Sequence, residues 1–212
     1  PATTANSVLS VATTSSVPTG LTFDTATGNV DVAAGTAAGT YSFDYQICEA
    51  LNPTNCRTAT ISVTVEAAAI AADADTISGI NGASGGNDVL NVLDGDTLNG
   101  VAVTLAQVDI SVTSPATPAS AGAPVPVLDV ATGLISVPAG TPAGSYSIDY
   151  EICETLNPTN CASNTATIVV DAAPLVAAND SASGINGLTG ATAVVRSEEH
   201  TSELQSPEGT SY

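Results

Sequence analysis

The chain has 212 residues, 21 Asp and Glu against 2 Lys and Arg, and a formal charge of −19. Phosphate neutralisation needs Lys or Arg, so this polyanion is excluded as a binder of nucleic acid or of an anionic membrane surface. No apolar run approaches the roughly 18 residues of a membrane-spanning helix, and Thr, Ser, Ala, Val, Gly, Asn and Asp dominate, which suits short strands and turns better than helices.

In chain order, the first clear element is a hairpin. Tyr41, Phe43, Tyr45 and Ile47 alternate onto one face, and Ala59, Ile61, Val63 and Val65 do the same on the return strand. An Ala-rich stretch, Glu66–Asp75, follows. Its propensity allows a helix, but short helices are marginal, and between strand patterns an extended linker is expected. Strands are then predicted near 88–93, 101–104, 108–113, 126–130, 133–137, 144–153 and 161–170, separated by turn signals at Asp94-Gly95, Asn99-Gly100, Ala131-Thr-Gly133 and Ala139-Gly140. A second Ala-rich stretch, Asp171–Asp180, is read as another linker.

The chain repeats itself at an interval of 105 residues. Gly39–Cys56 returns as Gly144–Cys161 with fourteen of eighteen positions identical. Thr27-Gly28 returns as Thr132-Gly133, and Ser78-Gly-Ile-Asn-Gly82 as Ser183-Gly-Ile-Asn-Gly187. A period this long means one small domain per repeat and not a solenoid turn. The expected organisation is the later part of one module over 1–66, a complete module over 67–171 and the start of a third over 172–195. The piece begins and ends within modules, so a longer parent is expected.

The four cysteines form two C-x7-C pairs, Cys48 with Cys56 and Cys153 with Cys161. Zinc sites favour closer cysteine spacing with His partners, so two disulfides and an oxidising compartment are expected. The register supports this. Pairing Cys48 with Cys56 also pairs Phe43 with Ile61 and Tyr41 with Val63; pairing Cys153 with Cys161 pairs Ile148 with Ala166 and Tyr146 with Ile168. A slip of one residue would break both the bond and the core.

These features predict an all-β chain of tandem antiparallel Ig-like β-sandwich modules. Val17-Pro-Thr-Gly-Leu-Thr-Phe-Asp-Thr-Ala-Thr-Gly-Asn-Val-Asp-Val32, followed by Ala38-Gly-Thr-Tyr-Ser-Phe43, resembles the Ig-like and cadherin-like repeats of very large bacterial surface proteins. Val127-Leu-Asp-Val-Ala-Thr-Gly-Leu-Ile-Ser-Val137 repeats the second half of that pattern. The resemblance implies an extracellular, bacterial cell-surface setting in an adhesin or surface filament, and the cysteine hairpin is similar to a disulfide-bearing subset of such repeats. It names no ligand, because this fold hosts many functions.

Residues 196–212 break the pattern. Arg196-Ser-Glu-Glu-His-Thr-Ser-Glu-Leu-Gln-Ser206 resembles the conceptual translation of a sequencing-library adapter, and the segment is set aside as not native. With it go the one His and one of the two Arg, leaving Arg57.

The acids are then the side chains able to carry specific chemistry. Calcium takes about six to eight oxygen ligands, and the acids and amides at the linkers could supply them: Glu66, Asp73 and Asp75 at the first, Asp171, Asn179 and Asp180 at the second. The hairpin loop with Glu154, Asn157 and Asn160 is expected beside linker 66–75, and Asp94 and Asp96 beside the following linker. Similar repeats bind calcium at module junctions, which makes calcium the expected ion; a solvated acidic surface without a site is the alternative. Gly85-Gly-Asn-Asp-Val-Leu90 resembles a single calcium-binding nonapeptide repeat, but a strand start explains it as well.

Catalysis has little support. With 196–212 set aside there is no His, and there is no Lys to activate a nucleophile. Paired carboxylates could hydrolyse glycosides, yet the acids recur with the module, as in Asp24 and Asp129, Asp44 and Asp149, Glu49 and Glu154. The expected role is structural: a shaft module whose partners are copies of itself, in tandem or in a filament. The rival is an adhesive module contacting a glycan or protein on another surface.

Overall fold

The computed structural model describes residues 6–192. The tail at 196–212 and the last residues of the expected third module lie outside them. The chain divides into two units, Pro1–Ala172 and Ala173–Tyr212. All fifteen strands fall in the first unit, and no helix occurs among the described residues.

The first module contains β1 (Ser7–Val11), β2 (Leu21–Phe23), β3 (Val30–Val32), β4 (Gly39–Glu49) and β5 (Cys56–Val65). They form a sheet of order β1-β4-β5 and a pair β2-β3. Phe43, Leu21 and Ala12 are its buried apolar residues, and Phe23 lies against Phe43 with ring centroids 5.4 Å apart.

The second module contains β6 (Ile70–Ala71), β7 (Asp75–Asn81), β8 (Gly86–Asn91), β9 (Thr97–Leu98), β10 (Val101–Ala102), β11 (Val108–Ser114), β12 (Val127–Asp129), β13 (Leu134–Val137), β14 (Gly144–Glu154) and β15 (Cys161–Asp171). Its main sheet has the order β11-β14-β15-β7, its second sheet β12-β13-β8, and a small third sheet β10-β9-β6. The core holds the inward row Tyr146, Ile148, Tyr150 and Ile152 of β14, the row Ala166, Ile168 and Val170 of β15, and Leu128, Ile135 and Val137 from the second sheet. Alternation at period two places each row on one face.

The hairpins have the expected register. Cys48 faces Cys56, Phe43 faces Ile61 and Tyr41 faces Val63; Cys153 faces Cys161, Ile148 faces Ala166 and Tyr146 faces Ile168. Both disulfides are formed, and no cysteine is free. The repeated loop between each cysteine pair is braced from within. Glu49 accepts from the amides of Asn52 and Asn55, as Glu154 does from Asn157 and Asn160. The D-x-A-T-G signature is also a brace: Asp24 accepts from the Ala26 and Gly28 N–H groups, and Asp129 from those of Ala131 and Gly133.

Three expectations need correction. The stretch 66–75 is not merely an extended linker, since Ile70–Ala71 pairs with β9. The second module has ten strands and not about seven; β6, β7 and β9 were not anticipated. The main sheet is not wholly antiparallel, because β7 runs parallel to β15, with Ile77 opposite Ile168 and Ile80 opposite Val170. The repeat offset also varies: Ser7 faces Glu49 as Val108 faces Glu154, so the offset is 101 at β1 and 105 at β4. The second module carries four extra residues between Val112 and β12, the first of them at the bulge within β11.

Asn99-Gly100 forms the two-residue turn between β9 and β10, with both residues at positive φ (51° and 73°), as a primed hairpin turn requires. In the second unit, residues 173–192 contain turns but no strand and are exposed throughout.

Candidate metal centre

The turn that follows β8 builds the site. Asn91 Oδ1 accepts from the Leu93 N–H, folding the chain back, and the Asp96 N–H donates to Leu93 O. This directs Asp96 inward, where it has no exposed surface. Gly95 lets the turn approach the linker: a Cβ there would lie 3.3 Å from Asp73 Oδ2. The Asp73 N–H donates to Asp96 Oδ1 at 2.7 Å. The other oxygen, Asp96 Oδ2, is buried and has no hydrogen-bond partner.

Asp75, the first residue of β7, is also buried. The Tyr150 hydroxyl lies 2.9 Å from Asp75 Oδ2, 3.0 Å from Asp73 O and 3.1 Å from Val92 O. One phenol has one proton to give, so at least one of these three oxygens lacks a donor from it. Asn164 holds the linker from the other side by donating from Nδ2 to Ala72 O.

Burial raises the Asp96 pKa to about 6, and the neighbouring charges of Asp75, Asp73 and Asp94 add to the shift against the hydrogen bond from Asp73. Burial likewise pushes Asp75 up, opposed by the Tyr150 hydroxyl. Tyr150 is itself raised, first by burial and then by its hydrogen bond to Asp75. No basic group relieves this charge: the one base among the described residues, Arg57, donates to Cys56 O in the first module.

The expected ligand residues therefore fall into separate places. Asp73, Asp75, Asp94 and Asp96 share one site. Asp94 and Asp96 lie against the linker that precedes their module, not the following one as expected. Glu154, Asn157 and Asn160 do lie beside linker 66–75, for Asn160 Nδ2 donates to Ala68 O. The Glu154 carboxylate is nevertheless satisfied by protein donors: burial pushes it up, but hydrogen bonds from Asn157 and Asn160 outweigh this and leave it below the usual range. Asn157 instead reaches the first module, accepting the Ala38 N–H at 2.6 Å. Glu66 and Asp171 are exposed, and the Asp171 carbonyl accepts the Gly82 N–H. Asn179 and Asp180 are exposed in the second unit. Asp88, in the glycine-rich stretch, lies within β8, and its N–H donates to Ser136 Oγ, which fits the strand reading.

An all-oxygen donor set with a buried, unpartnered carboxylate oxygen suits a hard cation of the calcium type. Among the described residues, the one trio of acidic or sulfur ligand atoms within 4.8 Å of one another is Glu151, Cys153 and Cys161. Its sulfurs form the disulfide, so it offers no thiolate. The aspartates stand further apart than that trio, so coordination by three of them requires the turn and the linker to draw together. Sequence reasoning missed Tyr150 and the carbonyls of Asp73 and Val92; a tyrosine in a core stripe gives no signal that its hydroxyl meets a carboxylate.

No protein-family model matches the chain, and no curated protein matches it. Among solved structures, the chain is similar to the human desmocollin-1 ectodomain, at 11% identity and a TM-score of 0.38 over 78% of this chain and 33% of that one. It is similar to extracellular cadherin domains 3–6 of protocadherin gamma B2, at 10% identity and 0.39 over 79% and 43%. It is also similar to EC1-2 of human protocadherin-24, at 19% identity and 0.37 over 78% and 82%. The chain thus spans less than half the length of the first two. At these scores the fold rests on the strands and sheets of the chain itself.

Proposed function

We propose that the chain is part of the shaft of an extracellular bacterial fibre or adhesin. Its tandem β-sandwich modules are each clipped by a disulfide, and calcium stiffens the linker between the first and second. The observation that carries the cation is Asp96 Oδ2, buried without a partner among three further aspartates. An ionised carboxylate in that setting costs several kcal/mol unless a positive charge joins it. Asp73, Asp75, Asp94 and Asp96 would hold the ion, with carbonyl oxygens of the linker completing the set. The ion would tie the linker to the β8–β9 turn.

The repeat supports a structural role, since the disulfide hairpin and its Glu-Asn-Asn brace recur unchanged. The two disulfides support an oxidising, extracellular setting. The rival adhesive reading has less to rest on: every described aromatic residue is buried or half-buried, which leaves no exposed aromatic platform.

Calorimetric titration of the chelator-treated chain with calcium tests the proposal. Binding with a rise in the melting temperature of the second module is expected. Absence of heat together with an unchanged melting temperature would remove the cation from the account.

A further inference from the structure

Loop 155–160 of the second module, between β14 and β15, is held rigid from within its own module. The Cys153–Cys161 disulfide closes it, and the Thr155 N–H donates to Gln107 O. The Nδ2 groups of Asn157 and Asn160 both donate to Glu154 Oε2 at 2.9 Å. Glu154 is buried and its pKa lies below the usual range, so the ionised acceptor that these amides need is present at neutral pH.

Each amide has one further polar atom or hydrogen to use, and both are used across the joint. Asn157 Oδ1 accepts the Ala38 N–H of the first module at 2.6 Å. Asn160 Nδ2 donates a second time, to Ala68 O in the linker, at 2.8 Å. Glu154 also fixes which way Asn157 faces. A flipped amide would set its oxygen against the carboxylate and its NH2 against the Ala38 N–H.

The receiving segment, 35–38, is equally well held. The Tyr41 hydroxyl donates to Ala37 O, and Thr36 Oγ1 lies 2.7 Å from Ala33 O and 3.2 Å from Gly20 O. Apolar packing across the joint is incomplete, for an open cleft of about 420 Å³ is lined by Gly35 of the first module and by Leu98, Ala106 and Leu156 of the second. Polar groups organised in advance, which lose little freedom on meeting, therefore carry the contact.

We propose that loop 155–160 is a docking surface for the preceding module, seated on segment 35–38, and that it holds the joint in one orientation without a cation. Both halves recur in the repeat. Leu51-Asn-Pro-Thr-Asn55 matches Leu156-Asn-Pro-Thr-Asn160, and Ala38-Gly39 matches Ala143-Gly144. Strands β4 and β14, eleven residues each, separate the receiving segment from the loop and put them at opposite ends of a module. The same seat is thus available wherever two modules follow one another. It adds to the shaft reading and stands apart from the cation at Asp96.

Residual dipolar couplings and amide exchange of the 212-residue chain, both in chelator, test it. One alignment tensor should fit the amides of both modules, and the Ala38 amide should be protected. Asn157→Ala should split the tensor in two and speed exchange at Ala38 by about fivefold, the size of one net hydrogen bond. Asn52→Ala removes the matching bond to Glu49 in the first module, away from the joint, and should change neither readout. Each substitution trims one side chain of a loop closed by its disulfide, so the modules stay folded. Separate tensors for the unaltered chain would overturn the proposal. So would a single tensor or an unchanged Ala38 rate in Asn157→Ala, or equal loosening by Asn52→Ala. A joint loose in chelator but rigid with calcium would overturn the docking surface and leave the cation standing.

Discussion

The Asp73 N–H donates to Asp96 Oδ1 at 2.7 Å and leaves the second Asp96 oxygen buried with nothing to receive. One half of this carboxylate is organised by the linker, and the other half is a localised negative charge. Asp96→Asn keeps the first interaction and removes the charge. With chelator present, the variant should be more stable than the parent by roughly 2–3 kcal/mol, the equivalent of about two pKa units. The melting temperature would rise by about 5–10 °C for a protein of this size. Calcium should then stabilise the variant far less than the parent. Thermal melts of both proteins with and without the ion check the crossover.

The same pair sets a pH dependence. Asp96 titrates near 6 when folded, above the 3.8 of the free side chain, and Asp75 is raised as well. A folded-state pKa above the unfolded value means that the stabilising proton is fully bound below about 4 and lost as pH rises through about 6. Asp73, Asp94 and the Tyr150 hydroxyl face these groups and no base does. Glu154, Glu49 and Asp24 are lowered, so their contributions are lost only at still more acid pH. The calcium-free protein should therefore gain stability from pH 7.5 down to about 5. Bound calcium should flatten or reverse that slope, because it competes with the proton. A flat calcium-free profile between those limits would contradict the burial of Asp96.

The hairpins were legible because three signals coincide there: alternation, cysteine spacing and turn residues all select one register. β7 was not legible. Ser78-Gly79 interrupts its apolar alternation, and its partner β15 lies far away in sequence, so the pairing depends on tertiary contact. That omission explains the misplaced aspartates. With 88–93 taken as the first strand, Asp94 and Asp96 fall at the far end of the module. In fact β7 leaves the linker first, the chain turns over Asn81–Gly85, and β8 returns it, so the β8–β9 turn meets Asp73. The residue types of the site were readable, but their proximity depended on one strand. β6 and β9, at two residues each, are too short to leave a periodic signal.

The disulfides close loops of the same length in both modules, eight residues apart in sequence. Loop-closure entropy gives each about 2.5 kcal/mol. Replacing Cys153 and Cys161 together by Ser should destabilise the second module by about that amount while preserving its register, because the Tyr146–Ile168 and Ile148–Ala166 pairs persist. Replacing Cys48 and Cys56 should affect the first module more severely, since fewer of its apolar residues are fully buried. Melting curves that resolve the two transitions, with amide exchange to locate each, would show whether the first module is the more dependent on its clip.

Tyr150 joins the core to the acidic site. Its ring is fully buried in the row of β14, while its hydroxyl meets Asp75, Asp73 O and Val92 O. Tyr150→Phe keeps the ring and removes the donor, so Asp75 Oδ2 loses its partner in a buried site. An orphaned buried acceptor costs about 1–3 kcal/mol, and loss of the hydrogen bond that lowers the Asp75 pKa moves that carboxyl further up. The calcium-free variant should thus lose stability at pH 7 and recover part of it on acidification. Calcium should restore more of it than it adds to the parent if the ion reaches Asp75. Tyr45, the counterpart in the first module, is half-buried and packs against Phe23 at 6.2 Å between ring centroids. Tyr45→Phe leaves that ring contact in place and should change stability little. Equal losses from the two substitutions would mean that the hydroxyl of Tyr150 has no special role, and that the linker is held by its other hydrogen bonds, with Asn164, Asn160 and Asp96, and by the β6–β9 pairing.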